Sequence, residues 1–478
     1  MNYKIIFHTL GWVLNFEAAA LLLPLLCAAV LGEPYIPLFA SCIALCLIFG
    51  LIFTIKPPQN KTMYAREGFI TVALSWIMLS IFGALPFYFS GFIPNFIDAL
   101  FETVSGFSTT GASILTDVEA LPKSLLFWRS FTHWIGGMGV LVFLVAILPL
   151  SGGNNLYLIK AESPGPSVSK LVPKVRSTAK ILYEMYLALT IIEIILLLIG
   201  ELDLFSALTM SFGTAGTGGF AILNSGCAEY TPYVQNVITV FMLLFGIDFS
   251  LFYLLLLRKF SSVLHSNELK TYLGIVTLAI IVITLNCRDL FENLATALRH
   301  SAFQVASIVT TTGYATTDFD KWPELSKTIL VGLMFMGACA GSTGGGIKVS
   351  RIIILVKTIF KELMTAVHPK STRKITLNKR PVEHEVVRVV NVYMAAYIMI
   401  FVASMLIVSI NNFDFTTNFT AVTAVINNIG PGLAKVGPTQ NFSIFSPLSK
   451  LVFIADMLIG RLEIFPLLVL FAPSTWRK

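Results

Sequence analysis

The chain has 478 residues, 56% of them hydrophobic and 12% charged, with a formal net charge of +7. A soluble domain carries about 25% charged residues, so this composition sets a soluble globular protein aside in favour of a polytopic membrane protein. Six cysteines and six histidines lie scattered without CxxC or metal-ligand spacing, which argues against a disulfide scaffold, a zinc site or a catalytic centre.

From the N-terminus onward, apolar runs recur that approach the ~20 residues needed to cross ~30 Å of hydrocarbon as a helix. The first two, about 5–32 and 36–56, form a hairpin within residues 1–66. The first of them carries Glu17 and lacks a small-residue cleavage site, so it reads as retained rather than as a signal peptide. Four units follow, at 67–175, 176–265, 266–365 and 366–478. Their expected paired spans are 69–90 with 125–150, 181–200 with 232–257, 271–286 with 326–357, and 388–410 with 446–472.

Between the two spans of each unit lies a shorter helical stretch that ends in a small polar run and a glycine. The four are "FETVSGFSTTGAS" (101–113), "ALTMSFGTAGTGGFA" (207–221), "SAFQVASIVTTTGYA" (301–315) and "FTAVTAVINNIGPG" (419–432). The closing glycines, Gly111, Gly219, Gly313 and Gly430, recur at intervals of roughly a hundred residues, the signature of an internal repeat. In the second run Gly216, Gly218 and Gly219 crowd together; Gly219 is taken because Phe220 follows it as Tyr314 follows Gly313.

A half-helix of about a dozen residues cannot cross, and irregular backbone at membrane depth persists only when buried in protein or lining a watery cavity. One such loop would more simply mark helix packing through a small residue. Four can surround one axis and offer main-chain carbonyls in place of a cation's hydration shell. The expected ligand set is Thr110 and Gly111, Gly218 and Gly219, Thr312 and Gly313, Ile429 and Gly430. Glycine reaches the left-handed dihedrals that turning such carbonyls inward requires. "TTGYA" at 311–315 is a relaxed form of the potassium-channel TVGYG loop.

The second span of the third unit is interrupted by "GACAGSTGGGIKVSR" (337–351). Each glycine costs a helix roughly 1 kcal/mol relative to alanine, so this segment unwinds. It reads either as a kink packed against its neighbours or as an unwound stretch on the substrate path, formed by Gly337, Ala338, Gly341, Ser342, Thr343, Gly344, Gly345 and Gly346. Its "GSTGGGIK" lacks the GxxxxGK[ST] order of a nucleotide-binding loop. In the last span, Arg461 is expected to be the one basic residue deep in the membrane, with Asp456 and Glu463 sharing a different helix face. An intramembrane charge is a functional candidate: Arg461 either opposes a passing cation or neutralises a carboxylate such as Asp248 or Glu184.

Most of the 33 Lys and Arg fall in 1–6, 56–67, 151–180, 258–271, 348–388 and the tail. Alternate loops are basic, so the positive-inside rule places both termini in the cytoplasm, and this distribution fits topology better than nucleic-acid binding. The basic stretch 368–380 suits a soluble partner or anionic lipid headgroups equally. The other loops hold Asp117, Glu119, Glu201, Asp203, Asp289, Glu292, Asp318, Asp320 and Glu324, which either focus cations at an outer vestibule or simply solvate the loops.

On "GFSTTGAS", "GTGGF", "VTTTGY" and "NNIGPGL", the chain resembles the TrkH/TrkG membrane subunits of bacterial potassium uptake systems, within the Trk/Ktr/HKT superfamily. The likeness covers essentially the whole chain, and the N-terminal hairpin favours TrkH over the shorter KtrB. It implies an all-α polytopic fold of four pseudo-symmetric helix–pore loop–helix repeats around a central pore. It further implies a homodimer in the bacterial inner membrane, no cofactor other than the transported K+, and a cytoplasmic TrkA-like nucleotide-binding subunit. The resemblance makes 337–346 an intramembrane gating loop and Arg461 the arginine that meets it. Serine in place of the first-repeat glycine accompanies sodium preference in that superfamily, so Gly111 favours potassium. A sodium-selective or sodium/proton-coupled potassium transporter is the alternative. An intramembrane enzyme would need an HExxH, GxSxG or similar constellation, none of which is found in the sequence.

Overall fold

The computed structural model describes residues 1–60, 63–139, 175–370, 374–378 and 380–476. The second half of the span expected at 125–150 and the basic segment 151–174 lie outside the described residues, as do parts of 368–380.

The N-terminal hairpin packs Tyr3–Ala20 and Leu22–Leu31 against Ile36–Thr54, turning at Gly32 in a left-handed conformation. It is tied to the first repeat through Glu33, whose carboxylate accepts the Lys123 and Ser124 backbone N–H groups at 2.8 and 3.2 Å. Those are otherwise unpartnered donors at the start of a helix.

Each repeat opens with a long apolar helix: Ala65–Phe89, Val175–Ile199, Asn267–Cys287 and His384–Val408. Large side chains such as Leu278, Met399 and Leu406 stand exposed on these helices, as expected of a lipid-facing surface. Then come four buried half-helices: Phe96–Phe107, Leu204–Gly216, Leu294–Val309 and Phe415–Ile426. Every one is N-capped by Asn or Asp. Asn95, Asp203, Asn293 and Asp414 accept from Ile97, Phe205, Thr296 and Thr417 at 2.9, 3.1, 2.8 and 2.9 Å. Such a cap contributes about 1 kcal/mol and fixes where each half-helix begins.

The second helices depart from expectation. The sequence predicts a break only at 337–351, but the spans it predicts through 232–257 and 446–472 break as well. Pro232–Phe245 and Phe249–Leu256 meet at a 93° bend, with Asp248 capping the second piece by accepting from Ser250 N at 2.9 Å. Pro447–Arg461 ends before Glu463 and Ile464, both at positive φ, and the chain resumes at Phe465–Phe471. Glu324–Met334 and Val349–Val367 flank the foreseen break. Among the described residues, six helices are long and apolar enough to cross alone, or seven if the bent pair is one span. Ten were expected. The difference lies in the second helices: that of repeat 1 runs beyond the described residues, and the other three are broken. In the last of them a Cβ on Gly460 would stand 2.1 Å from the Ile426 carbonyl oxygen, so this helix presses directly on the end of a half-helix. The chain is an all-α, multi-pass membrane protein.

Candidate ion-conduction site

All four half-helices end alike. The residue before each expected glycine donates its N–H to the carbonyl five positions back: Thr110 to Ser105, Gly218 to Gly213, Thr312 to Ser307 and Ile429 to Ala424, at 2.8–2.9 Å. This is the Schellman ending, which places one residue in the left-handed region. Glycine usually occupies that place; here Thr109, Thr217, Thr311 and Asn428 do, with φ between +54° and +60°. A β-branched residue there is an outlier, at a cost of about 1–3 kcal/mol. Thr109 and Thr217 donate their hydroxyls to the Ser108 and Gly216 carbonyls at 2.7 and 2.6 Å, and Thr311 and Asn428 make contacts described below.

Two residues on, Gly111, Gly219, Gly313 and Gly430 again have positive φ, +78°, +78°, +87° and +94°. Alternating left- and right-handed dihedrals turn successive carbonyls to one side. A Cβ on Gly111 would meet the Gly218 carbonyl oxygen at 2.0 Å; on Gly219, that of Thr312 at 2.0 Å; on Gly313, that of Ile429 at 2.1 Å; on Gly430, that of Thr110 at 2.8 Å. Each glycine therefore packs on the carbonyl that precedes the next repeat's glycine, and the fourth returns to the first. The eight residues expected from the sequence come together in a closed ring.

A cavity of about 440 Å³ is lined by the four glycines and by residues that follow them. Of the nine acidic loop residues, only Asp318 lines it. Asp117 and Glu119 instead accept from Asn224, each at 2.8 Å. Asp320 accepts from Ala434 N at 3.1 Å, and Glu324 pairs with Lys327. These four carboxylates therefore make local contacts that tie the loops together. Hydrogen bonds from Thr417 also keep the Asp414 carboxyl below the usual carboxylate range.

The segment 337–348 touches the residues that precede the glycines. Gly345 N donates to Thr311 Oγ1 at 2.6 Å. A Cβ on Gly344 would stand 3.1 Å from the Thr310 carbonyl oxygen, and one on Gly345 2.8 Å from that of Asn427. Gly337 N donates to the Ile347 carbonyl at 2.8 Å, the Ala338 carbonyl accepts from Val349 N, and that of Gly341 accepts from Phe249 N at 3.1 Å. Ser342 Oγ donates to the Cys339 carbonyl at 2.6 Å, and Thr343 Oγ1 to that of Phe245 at 3.2 Å. Gly341 and Gly346 have φ of +76° and +65°. Arg461 donates to the Thr343 carbonyl at 2.7 Å and to those of Gly136 and Gly137 at 2.6 and 2.7 Å. It thereby joins the segment to the second helix of repeat 1. Glu184, one alternative partner, lies exposed beside Lys180.

One expectation about charge is corrected. Asp456 and Glu463 do not share a helix face: Asp456 accepts from Ser404 at 2.8 Å, while Glu463 lies past the helix end and pairs with Arg351. Arg461 itself is half-buried, and four other basic residues are more fully enclosed. Arg129, Lys348, Arg351 and Lys450 are each at most 6% exposed. They are matched by Glu102 at 2.7 Å, the Gly344 and Gly345 carbonyls, Glu463, and Asp98 at 2.6 Å. The sequence hid them because they stand near span ends or in short broken helices. Sequence reasoning also missed Glu268, whose Oε1 accepts from Ala340 N at 2.8 Å and Ser350 N at 3.0 Å, holding both ends of the irregular segment. Asn428 was missed too; its amide donates to Thr110 Oγ1 at 2.9 Å and the Met457 carbonyl at 2.8 Å. The visible signal was a threonine or asparagine always two places before the glycine.

The chain matches the TrkH family model, described as cation transport protein, over residues 36–478. It is 35% identical to the Trk system potassium uptake protein TrkH of Salmonella typhimurium, with all of both chains covered. It is 32% identical to TrkG of Escherichia coli, covering all of this chain and 99% of that one. The crystal structure of the potassium transporter TrkH from Vibrio parahaemolyticus superposes with a TM-score of 0.88 at 31% identity, covering both chains fully.

Proposed function

Since the chain belongs to the TrkH family of cation transport proteins, we propose that it takes up potassium through the ring of Thr110–Gly111, Gly218–Gly219, Thr312–Gly313 and Ile429–Gly430. The observation that carries this reading is closure: each glycine packs on the next repeat's carbonyl, the last on the first. Carbonyl oxygens converging from four loops replace water around an alkali cation without covalent chemistry. The four half-helices add to this, because each ends at the ring and a helix C-terminus carries roughly half a negative charge.

The segment 337–348 acts as the gate. It lies against Thr310, Thr311 and Asn427 on the side of the ring away from the cavity, and Arg461 holds it there. A guanidinium beside the exit also opposes a departing cation. A TrkA-like cytoplasmic subunit would release these contacts through the basic inner loops, in a homodimer of the bacterial inner membrane with both termini inside. Gly111 favours potassium over sodium by its likeness to the first-repeat glycine of the superfamily, and a side chain there would meet the Gly218 carbonyl oxygen and reshape the ring.

The test is tracer rubidium uptake by the purified chain in liposomes, with and without excess sodium. Uptake that sodium barely competes supports the reading. Equal competition by sodium favours the sodium-selective alternative, and no cation flux from either the unsubstituted chain or Arg461→Ala, which lacks the tether on the gate, ends the proposal.

A further inference from the structure

Of the four ring loops, the second is the one least able to hold its own shape. Three of its four residues from 216 to 219 are glycine, and glycine loses the most conformational freedom on ordering. The third loop is braced by Ser307 Oγ, which donates to the Tyr314 carbonyl at 2.6 Å. The fourth is braced by Thr420 Oγ1, which accepts from Leu433 N at 2.9 Å. The first is braced by Glu102, which accepts from Ile114 N at 3.0 Å. Each of these braces comes from the loop's own half-helix. For the second loop the support comes from another repeat.

That support is the second helix of repeat 1, Lys123–Met138. His133, fully buried there, lies with Nδ1 2.8 Å from the Gly106 carbonyl oxygen. Its Nε2 is 3.2 Å from Phe220 N. A carbonyl can only accept and a backbone N–H can only donate. Nδ1 therefore carries the proton and Nε2 presents its lone pair, so the two contacts fix one neutral tautomer. The imidazole fills the space a Gly218 side chain would need, with ring atoms 2.2 Å from such a Cβ, and its centroid is 4.2 Å from that of Phe220. One turn earlier, Arg129 lies 3.5 Å over the Phe220 ring and donates to the Ala221 carbonyl at 2.8 Å. Residues 218–221 are thus held from one helix, and the Gly218 carbonyl is the one on which Gly111 packs.

We propose that His133 is a specificity-determining positioning residue, which sets the ring's ion discrimination by accepting the Phe220 N–H and so fixing the Gly218 and Gly219 carbonyls against repeat 1. This rests on the reading of the ring as the filter. It assigns a role to a side chain that touches no transported ion.

The experiment separates the two nitrogens. In His133→Gln the amide oxygen stands in for Nε2 and keeps an acceptor for Phe220 N. In His133→Asn the amide nitrogen stands in for Nδ1 and keeps only the donor to Gly106. Each full-length variant is reconstituted in liposomes, and rubidium uptake is read against sodium competition beside a melting temperature. Discrimination should stay within about twofold of the unsubstituted chain in the Gln variant. It should fall at least about fivefold in the Asn variant, the ratio one net hydrogen bond supplies. If the Asn protein does not fold, His133→Phe, which keeps ring volume and loses both contacts, should show the same fall. Discrimination retained in folded Asn or Phe protein, or lost equally in the Gln variant, overturns the proposal. A failure of the unsubstituted chain to discriminate would instead count against the filter reading itself.

Discussion

Gly313 and Gly345 both lie close to Thr311, yet they are held in opposite ways. Gly313 follows a Schellman ending, so its position is set by main-chain bonds of its own half-helix, such as Thr312 N to the Ser307 carbonyl at 2.8 Å. Gly345 belongs to a segment whose flanks pair through main-chain bonds, Gly337 N to Ile347 and Val349 N to Ala338, while side chains from elsewhere hold the rest: Thr311 on Gly345 N, Arg461 on the Thr343 carbonyl, and Glu268 on Ala340 N and Ser350 N. A loop fixed by its own helix cannot move without unwinding it. One fixed by separate side chains can be released one contact at a time. Similar glycine-rich sequence is thus held by its own half-helix in one place and largely by side chains from other elements in another; in the proposed reading the first is the ring and the second a releasable strap.

The largest expected effect is on the rigid side. Gly313→Ala puts a Cβ at φ +87°, 2.1 Å from the Ile429 carbonyl oxygen. A left-handed side chain costs ~1–2 kcal/mol before any clash, so rubidium uptake should fall by at least about tenfold. Wild-type uptake with unchanged sodium competition would show the ring to be softer than its contacts imply. On the strap, Arg461→Ala removes the one charge-assisted hydrogen bond to the Thr343 carbonyl, worth about 1.5–3 kcal/mol, along with those to Gly136 and Gly137. Flux through the chain without a partner should rise roughly tenfold, with discrimination kept. A fall in flux would mean that the arginine supports the open form. Glu268→Ala frees both ends of the strap and should raise partner-free flux by about fivefold, since two bonds to a carboxylate are lost. Oxygen-conserving Glu268→Gln should rise less, and the two variants together read how much of the tether is charge. The smallest effect is expected from Thr311→Val, which keeps the shape and removes the acceptor for Gly345 N, at about 1 kcal/mol. Flux should rise about twofold to fivefold with selectivity intact. A selectivity change there would show that ring and strap are not separable.

Much of this was legible in the chain. Four glycines at a common spacing, each after a small polar run, identified the ring residues; helix-breaking glycines marked the strap; Arg461 stood out against its apolar neighbours. The breaks at 246–248 and 462–464 were not legible, because their flanks stay as apolar as a continuous span and the kink follows from packing against half-helix ends. Nor does the sequence single out His133, Arg129 or Glu268. His133 and Arg129 stand four apart on one helix face, a pattern open to reading, but their partners lie in another repeat.

The sequence alone determined the helical membrane architecture and the fourfold recurrence, because hydrophobic periodicity and glycine placement act over a few neighbouring residues. It also determined which residues could turn carbonyls toward an axis. Only the tertiary structure decided which repeat packs on which, and which side chains hold the second loop and the strap. Phe220 meets His133 across 87 positions and Arg461 meets Thr343 across 118. A hydrogen bond formed at that separation depends on how the helices pack, and it leaves no spacing in the chain from which it could be read.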